Sequence, residues 1–168
     1  VTLGTGTLTI GNNTSTTYGG VISGSGGITK IGSGTLTLTR ANTYTGPTTI
    51  TSGILRLGAA NVLSNSSNLV LNGGTLNTGA AVGFAETVGT LGLSSNSTIA
   101  LGTGIHTLTF AASSGVPWTA GQTLTITGWT GTPGVTGTAG RISVGANGLT
   151  AEQLAQITFS GYPAGAML

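Results

Sequence analysis

The sequence predicts an all-β solenoid, in which short strands coil so that each turn of the chain stacks on the next. Thr35–Thr39 alternates hydroxyl and aliphatic residues, which places Leu36 and Leu38 on one face of a strand and the threonines on the other. Two further short strands, Thr48–Thr51 and Ile54–Leu57, follow after turn residues. Three such strands make one coil that cannot bury its own apolar face, so the pattern requires stacked neighbours.

A similar pattern earlier in the chain supports a repeat. Gly4–Ile10 aligns with Gly32–Leu38 at an offset of 28 residues, a spacing found in solenoid repeats. The continuation Asn13–Gly24 matches Asn42–Gly53 more loosely, so that Tyr18 corresponds to Tyr44, and residues 1–58 hold about two degenerate coils.

Beyond residue 58 the pattern loosens but still predicts strands, at 87–94, 97–101, 105–110 and 123–129. The turn Asn72-Gly73-Gly74 fits another coil, which we favour, or an antiparallel hairpin. The one helical stretch is Thr150–Ile157, where Thr150 and Gln153 have the spacing of a capping box. Leu154 and Ile157 of this helix are expected to dock on the solenoid.

We expect one domain over 1–168, with the clearest coils at 1–58, degenerate coils at 59–110 and a C-terminal closing segment at 111–168. The inward positions of the strands predict a shared aliphatic core. Its members are Leu8, Ile10, Leu36, Leu38, Ile50, Leu55, Leu57, Leu69 and Leu71.

Residues 28–58 also carry a family resemblance. The run T-K-x-G-x-G-T-L-T-L-T, followed by A-N-T-Y-T-G, S-G and L-x-L-G, resembles the autotransporter-associated β-strand repeat of exported proteins from Gram-negative bacteria. The resemblance implies a right-handed parallel β-helix that is exported to the cell surface or beyond and has a structural rather than a catalytic role. Leu101–Phe110, Leu124–Trp129 and Leu149–Phe159 more loosely resemble the segment that closes such proteins.

Composition narrows the function classes. Only 4% of the residues are charged, against about 25% in ordinary soluble domains. Lys30, Arg40, Arg56 and Arg141 are too few and too scattered for a nucleic-acid site. The chain has no cysteine for a disulfide or a thiolate metal site, and no apolar run long enough to span a membrane. Val1 is already in strand pattern, so we expect a processed or excerpted chain without its leader.

Few side chains are suited to catalysis. The sequence contains no aspartate, and its two glutamates, Glu86 and Glu152, are far apart along the chain, whereas glycoside hydrolysis needs paired carboxylates. His106 is the sole histidine and, in a Thr-alternating strand, is interpreted as facing outward. We therefore predict no catalytic residue, no metal and no cofactor.

Two functions follow most directly. The first is a structural solenoid that assembles head to tail into filaments, because open solenoid ends present unpaired backbone groups and few charges oppose contact. The second is an adhesin passenger that binds glycans or host surfaces through exposed aromatic side chains, although we favour packing roles for these rings. The end residues assigned to self-assembly are Val1, Thr2, Leu3, Tyr162, Pro163, Met167 and Leu168, and the aromatic candidates are Tyr18, Tyr44, Trp118, Trp129 and Tyr162.

A third function is ice binding, which would need threonine pairs stacked in one row. Thr-x-Thr pairs begin at Thr7, Thr35, Thr107 and Thr123. Their irregular spacing disfavours this alternative, and threonine is also a common exposed strand residue.

Overall fold

The computed structural model describes residues 1–79, 83–130 and 140–162, which form fifteen strands and one helix. The strands are β1 (Leu8–Ile10), β2 (Thr16–Tyr18), β3 (Ile28–Lys30), β4 (Thr35–Leu38), β5 (Thr48–Ile50), β6 (Ile54–Leu57), β7 (Leu69–Asn72), β8 (Thr75–Asn77), β9 (Ala85–Val88), β10 (Leu91–Ser95), β11 (Ser97–Ala100), β12 (His106–Phe110), β13 (Leu124–Thr127), β14 (Gly140–Val144) and β15 (Ile157–Phe159). The helix, α1, is Ala151–Ala155.

The strands form three sheets in which neighbouring strands come from successive turns of the chain. One sheet has five strands in the order β1-β3-β5-β7-β10, and a second has seven in the order β2-β4-β6-β8-β11-β13-β15. The third has three strands in the order β9-β12-β14. All of these strand pairs are parallel. The prediction of an all-β parallel solenoid is confirmed, and the described residues contain almost no helix.

The length of the early turns differs from the sequence-based alignment. Leu8 lies beside Ile28 and Ile28 beside Thr48, so one turn takes 20 residues and not 28. Gly4–Ile10 therefore does not stack on Gly32–Leu38, and Tyr18 lies beside Leu38 rather than corresponding to Tyr44. The alignment was wrong because Thr-Leu alternation recurs on more than one side of the coil, so strands from different sheets look alike.

The same error affects the number of coils. Thr35–Leu38 and Ile54–Leu57 were predicted to belong to one coil, but they pair with each other as neighbouring strands of the seven-stranded sheet. Residues 1–58 accordingly supply three strands to each of the two larger sheets, which makes nearly three turns and not two.

The third side of the early turns is linked by isolated hydrogen bonds. Thr2 forms a parallel bridge with Ser23, and the N–H of Asn42 donates to the carbonyl oxygen of Val62 at 3.3 Å. Later in the chain this side becomes the three-stranded sheet, beginning at β9. The early turns therefore have no named strand on this side, in contrast to the later turns.

The core is a set of inward-facing columns that run across the turns. One column of the seven-stranded sheet consists of Leu36, Leu55, Leu76, Ile99, Ile126 and Phe159. Seven of the nine predicted core residues are buried, whereas Leu8 and Ile10 are half-buried. Both belong to β1, the edge strand of its sheet, so no described strand covers their other side.

The later strands differ from the predictions at 87–94, at β14, which was not predicted, and at β15, whose first residue was assigned to the helix. The segment 87–94 is not one strand, because β9 and β10 lie in different sheets with a corner at Gly89-Thr90 between them. The turn at Asn72-Gly73-Gly74 is a corner of the coil and not a hairpin, since β7 and β8 also lie in different sheets.

The capping box of α1 is present as predicted. The hydroxyl of Thr150 accepts the N–H of Gln153 at 3.2 Å, and Oε1 of Gln153 accepts the N–H of Thr150 at 2.8 Å. The helix ends at Ala155, so Ile157 docks as part of β15 rather than of the helix. Within the described ranges, no helix has the length and apolar character needed to cross a bilayer.

Candidate functional site

The two carboxyl groups lie in opposite environments. Glu86 points from β9 into the core, is 2% exposed, and accepts the N–H groups of Val62 and Leu63 at 2.9 Å each. Burial raises the pKa of Glu86 to about 7, although the two N–H donors act in the opposite direction. Both oxygens are therefore used to hold the preceding turn.

Glu152 is exposed in the first turn of α1. Its own backbone N–H and then the Thr150 hydroxyl hold the pKa of this carboxyl below its usual value. A buried carboxylate and a surface carboxylate do not face one substrate, so the arrangement does not form the acid–base pair that glycoside hydrolysis requires.

His106 does not face outward, and that prediction was wrong. Its side chain is fully buried, and its Nδ1 accepts the N–H of Phe84 at 3.2 Å. His106 shares the inward face of β12 with Leu108 and Phe110, because residues two apart on a strand point the same way. Across the described part of the chain, no group of three His, Cys, Asp or Glu residues is placed to hold a metal ion.

Lys30 is a buried cation that the sequence reading did not single out. It is 2% exposed, and its ammonium donates to the carbonyl oxygens of Ile31 at 2.6 Å, Gly32 at 2.8 Å and Ser52 at 3.2 Å. Burial lowers the pKa of this group. The ammonium joins one corner of the coil to the same corner of the next turn.

One signal could have identified all three buried groups. Lys30 shares its strand face with Ile28, Glu86 with Val88, and His106 with Phe110. A titratable residue at an inward position of an alternating strand predicts a buried group with a hydrogen-bonding role.

The aromatic candidates divide between core and surface. Tyr44 is fully buried, with its hydroxyl 2.6 Å from that of Thr48, so it cannot stack on a glycan. Trp118 is half-buried and donates from Nε1 to the carbonyl oxygen of Leu91 at 3.0 Å. Tyr18 is half-buried on β2. Trp129 and Tyr162 are half-buried and pack edge to face, with ring centroids 4.9 Å apart.

The four predicted threonine pairs lie on three different sheets, so they do not form one row. Thr9 is on the five-stranded sheet, Thr35 and Thr125 are on the seven-stranded sheet, and Thr107 is on the three-stranded sheet. The register creates a different outward row, made of Thr75, Thr98, Thr125 and Thr158. Ice binding therefore stays a disfavoured alternative.

The residues assigned to self-assembly lie in the first turn and after the last strand. Val1 is 57% exposed, Leu3 is buried, and Thr2 bridges to Ser23 in the following turn. Tyr162 follows β15, and Pro163, Met167 and Leu168 lie outside the described residues. Among the described strands, the six sheet edges pair with another strand on one side only, and these are β1, β2, β9, β10, β14 and β15.

The edge of the five-stranded sheet at β10 is covered. The indole of Trp118 and the N–H of Thr119 donate to the carbonyl oxygens of Leu91 and Leu93 at 3.0 and 2.8 Å. The hydroxyl of Ser113 accepts the N–H of Leu91 at 2.9 Å. The two ends of the described solenoid are therefore chemically different.

Comparisons with known proteins agree with the sequence resemblance. Residues 28–57 match the family model of the passenger-associated-transport repeat. The chain is 37% identical over 145 residues to the adhesin BmaC autotransporter of Brucella suis biovar 1 (strain 1330). That alignment covers 76% of this chain but only 4% of the length of the adhesin. No solved structure matches the chain significantly.

The matched segment runs from the first residue of β3 to the last residue of β6, and so contains two neighbouring strands of each of the two larger sheets. The chain therefore contains a passenger-associated transport repeat at residues 28–57, and both comparisons support an autotransporter-associated repeat protein.

Proposed function

We propose that this chain is a segment of an exported, adhesin-like β-solenoid on the surface of a Gram-negative bacterium. The observation that carries the proposal is the transport-repeat match at residues 28–57, which falls on consecutive, regularly stacked turns. The similarity to an autotransporter adhesin supports the same role. A stacked solenoid suits it because each turn adds length and exposed surface without requiring a new core.

The proposed role is not enzymatic. Glu86 is engaged with backbone N–H groups inside the core, and Glu152 is on the surface. His106 is buried among core residues. Polysaccharide turnover by the 168-residue protein that is lost in Glu86→Gln or in Glu152→Gln would contradict this part of the proposal.

Adhesion is tested with beads coated with the whole 168-residue chain. We expect the beads to bind host epithelial cells well above beads coated with the same protein after thermal unfolding. If native and unfolded coats retain equal numbers of cells, the adhesin role is wrong.

Surface glycans are the proposed partner, with the Trp129–Tyr162 pair as the contact. Aromatic rings stack on sugar rings, and Trp129 is half-exposed beside Tyr162. Trp129→Ala should lose binding on a glycan array, whereas Tyr44→Phe, which alters a buried ring, should retain it. Equal binding by both variants would argue against this contact.

A second candidate is head-to-tail assembly into filaments. The unpaired sides of β1 and β2 favour it, because exposed edge strands template further pairing. At the opposite end of the solenoid the edge of β10 is already covered by Trp118 and Thr119. Only the edges of the seven-stranded and three-stranded sheets are therefore open there to a second copy of the chain. A contact between two different surfaces does not close, so it yields fibres.

Electron microscopy and light scattering test this second candidate. The intact protein should form filaments, and variants lacking Val1–Ile10, or the segment from Gly161 onward, should be monomers. A monodisperse monomer from the intact chain would contradict self-assembly and leave the adhesin role untouched.

A further inference from the structure

The last turns of the solenoid form an apolar cavity of about 190 Å³ that is open to solvent on one side. Its most buried lining residues include Ile99, Leu124 and Ile126, which point inward from the seven-stranded sheet. Val144 and Leu154, from β14 and α1, also line the cavity and are half-buried, so this is the side that meets solvent.

The cavity arises because the three sheets end at different turns. The five-stranded sheet stops at β10, while the seven-stranded sheet continues through β13 and β15. The segment around Trp118 and Thr119 donates hydrogen bonds to β10. The helix α1 packs next to this segment, because the side-chain amide of Gln153 donates to the carbonyl oxygens of Ser113 and Val116 at 3.1 and 2.7 Å. A helix is wider than a strand and does not follow a parallel sheet closely, so space remains opposite Ile126.

The chemistry of the lining selects the occupant. Ten of the eleven lining residues are Leu, Ile, Val or Phe, and the remaining one is Gly148. A cavity of about 150 Å³ lined by such side chains stays free of water and binds benzene or xenon. A sugar is excluded because each buried hydroxyl without a partner costs about 1–3 kcal/mol. This cavity is therefore distinct from any glycan-binding surface.

We propose that this cavity is a binding site for a small uncharged hydrocarbon group, about the size of a single aromatic ring. Drug-sized ligands occupy pockets of about 300 Å³ or more, which sets an upper limit on the ligand. The site is independent of the adhesin role, since it requires only the packing of the last turns.

Benzene is the probe for the intact chain. We expect benzene near saturation to raise the Tm by about 2 °C or more, because a ligand that binds only the folded state stabilises it. Methyl NMR signals of Ile126 and Leu124 should shift in a saturable way, while those of Leu38 and Leu55, in earlier turns, should not.

Matched variants locate the site. Val144→Phe fills the cavity from its half-buried side and should abolish both effects, whereas Ser143→Phe, at the adjacent position on the other face of β14, should retain them. Should Val144→Phe fail to fold, Leu154→Ala replaces it: the widened cavity should bind p-xylene at least threefold more tightly than the unmodified chain does.

Three outcomes would overturn the proposal. These are no rise in Tm and no methyl shift with benzene, equal loss of binding in Val144→Phe and Ser143→Phe, or binding only after removal of residues 163–168. The last outcome would mean that the chain itself occupies the cavity.

Discussion

The side-chain amide of Asn42 donates to the carbonyl oxygen of Val62, one turn further along the coil, at 2.6 Å. The same side chain accepts the N–H of Ile22, one turn back, at 2.7 Å. Asn42 is 5% exposed and lies on the side of the solenoid where the early turns have isolated hydrogen bonds in place of a sheet. One asparagine thus joins three successive turns in the way that a β-strand does elsewhere.

Replacing Asn42 by alanine should therefore be costly. The change leaves the buried N–H of Ile22 without its partner, whereas the carbonyl of Val62 keeps the backbone N–H of residue 42, so we expect a loss of about 1–3 kcal/mol. Chemical denaturation measures the change. Asn12→Ala is the matched control, because the side chain of Asn12 is exposed and accepts hydrogen bonds from Thr14 two residues away, and it should cost less than about 0.5 kcal/mol. Equal effects of the two substitutions would contradict this role.

Lys30 should be needed for its charge as well as its length. Lys30→Met removes the donor from the carbonyls of Ile31, Gly32 and Ser52, and charge-assisted hydrogen bonds contribute about 1.5–3 kcal/mol each. Since methionine retains most of the aliphatic contacts, we expect a net loss of about 2–4 kcal/mol in urea denaturation. Arg56→Met, on the exposed face of β6, should change stability by under about 0.5 kcal/mol. If Lys30→Met leaves the free energy of unfolding unchanged, the three carbonyl oxygens do not need the ammonium and are hydrated by water instead.

Leu36 and Thr37 should differ sharply, because they are adjacent residues on opposite faces of β4. Leu36 stacks in the core column and is 3% exposed, so Leu36→Ala should cost about 2–5 kcal/mol. Thr37→Ala should cost under about 1 kcal/mol, since the side chain is half-exposed. A loss below about 0.5 kcal/mol for Leu36→Ala in thermal or chemical unfolding would mean that it is not packed in a closed core.

Gly53 and Gly121 allow the effect of a positive φ to be separated from the effect of close packing around the Cα atom. Both have positive φ, +63° and +76°, so alanine is strained at either position. At Gly53 an added Cβ would also overlap the carbonyl oxygen of Gly32 and lie 2.8 Å from Nζ of Lys30, whereas Gly121 is surrounded by open space. Gly53→Ala should therefore be the more destabilising by at least about 1 kcal/mol. Equal losses in denaturation would show that the corner relaxes.

Glu86 should make stability depend on pH. Burial raises its pKa in the folded state from 4.5 to about 7, so the folded state binds the proton more tightly than the unfolded chain does. Protonated Glu86 therefore contributes its full amount to the free energy of unfolding below pH 4.5. This contribution is lost as the pH rises through about 7. A pKa raised from 4.5 to about 7 corresponds to roughly 3 kcal/mol of stability.

Denaturation at pH 5 and pH 8 tests this dependence. The unmodified chain should be less stable at pH 8, and Glu86→Gln should remove that difference while lowering stability at pH 5, since an amide cannot accept both N–H groups. Glu152→Gln, at an exposed position, should keep the pH dependence of the unmodified chain. A flat profile in the unmodified chain would show that the two N–H donors offset the effect of burial on the pKa.

The sequence alone predicts local features well, because these depend on neighbouring residues. Alternation at Thr35–Leu38 indicated which side chains point inward, and the spacing of Thr150 and Gln153 predicted the capping box. The residues of 28–58 were also sufficient to identify the transport repeat.

Only the tertiary structure decided which strands are neighbours. A period of two distinguishes inward from outward but does not say to which of three sheets a strand belongs, so Leu8–Ile10 was aligned with the wrong strand. The burial of Lys30, Glu86 and His106 depends on backbone groups such as those of Ser52 and Val62, which lie more than 20 residues away. These partners meet because parallel stacking brings residues one turn apart within hydrogen-bonding distance, and no local pattern encodes that distance.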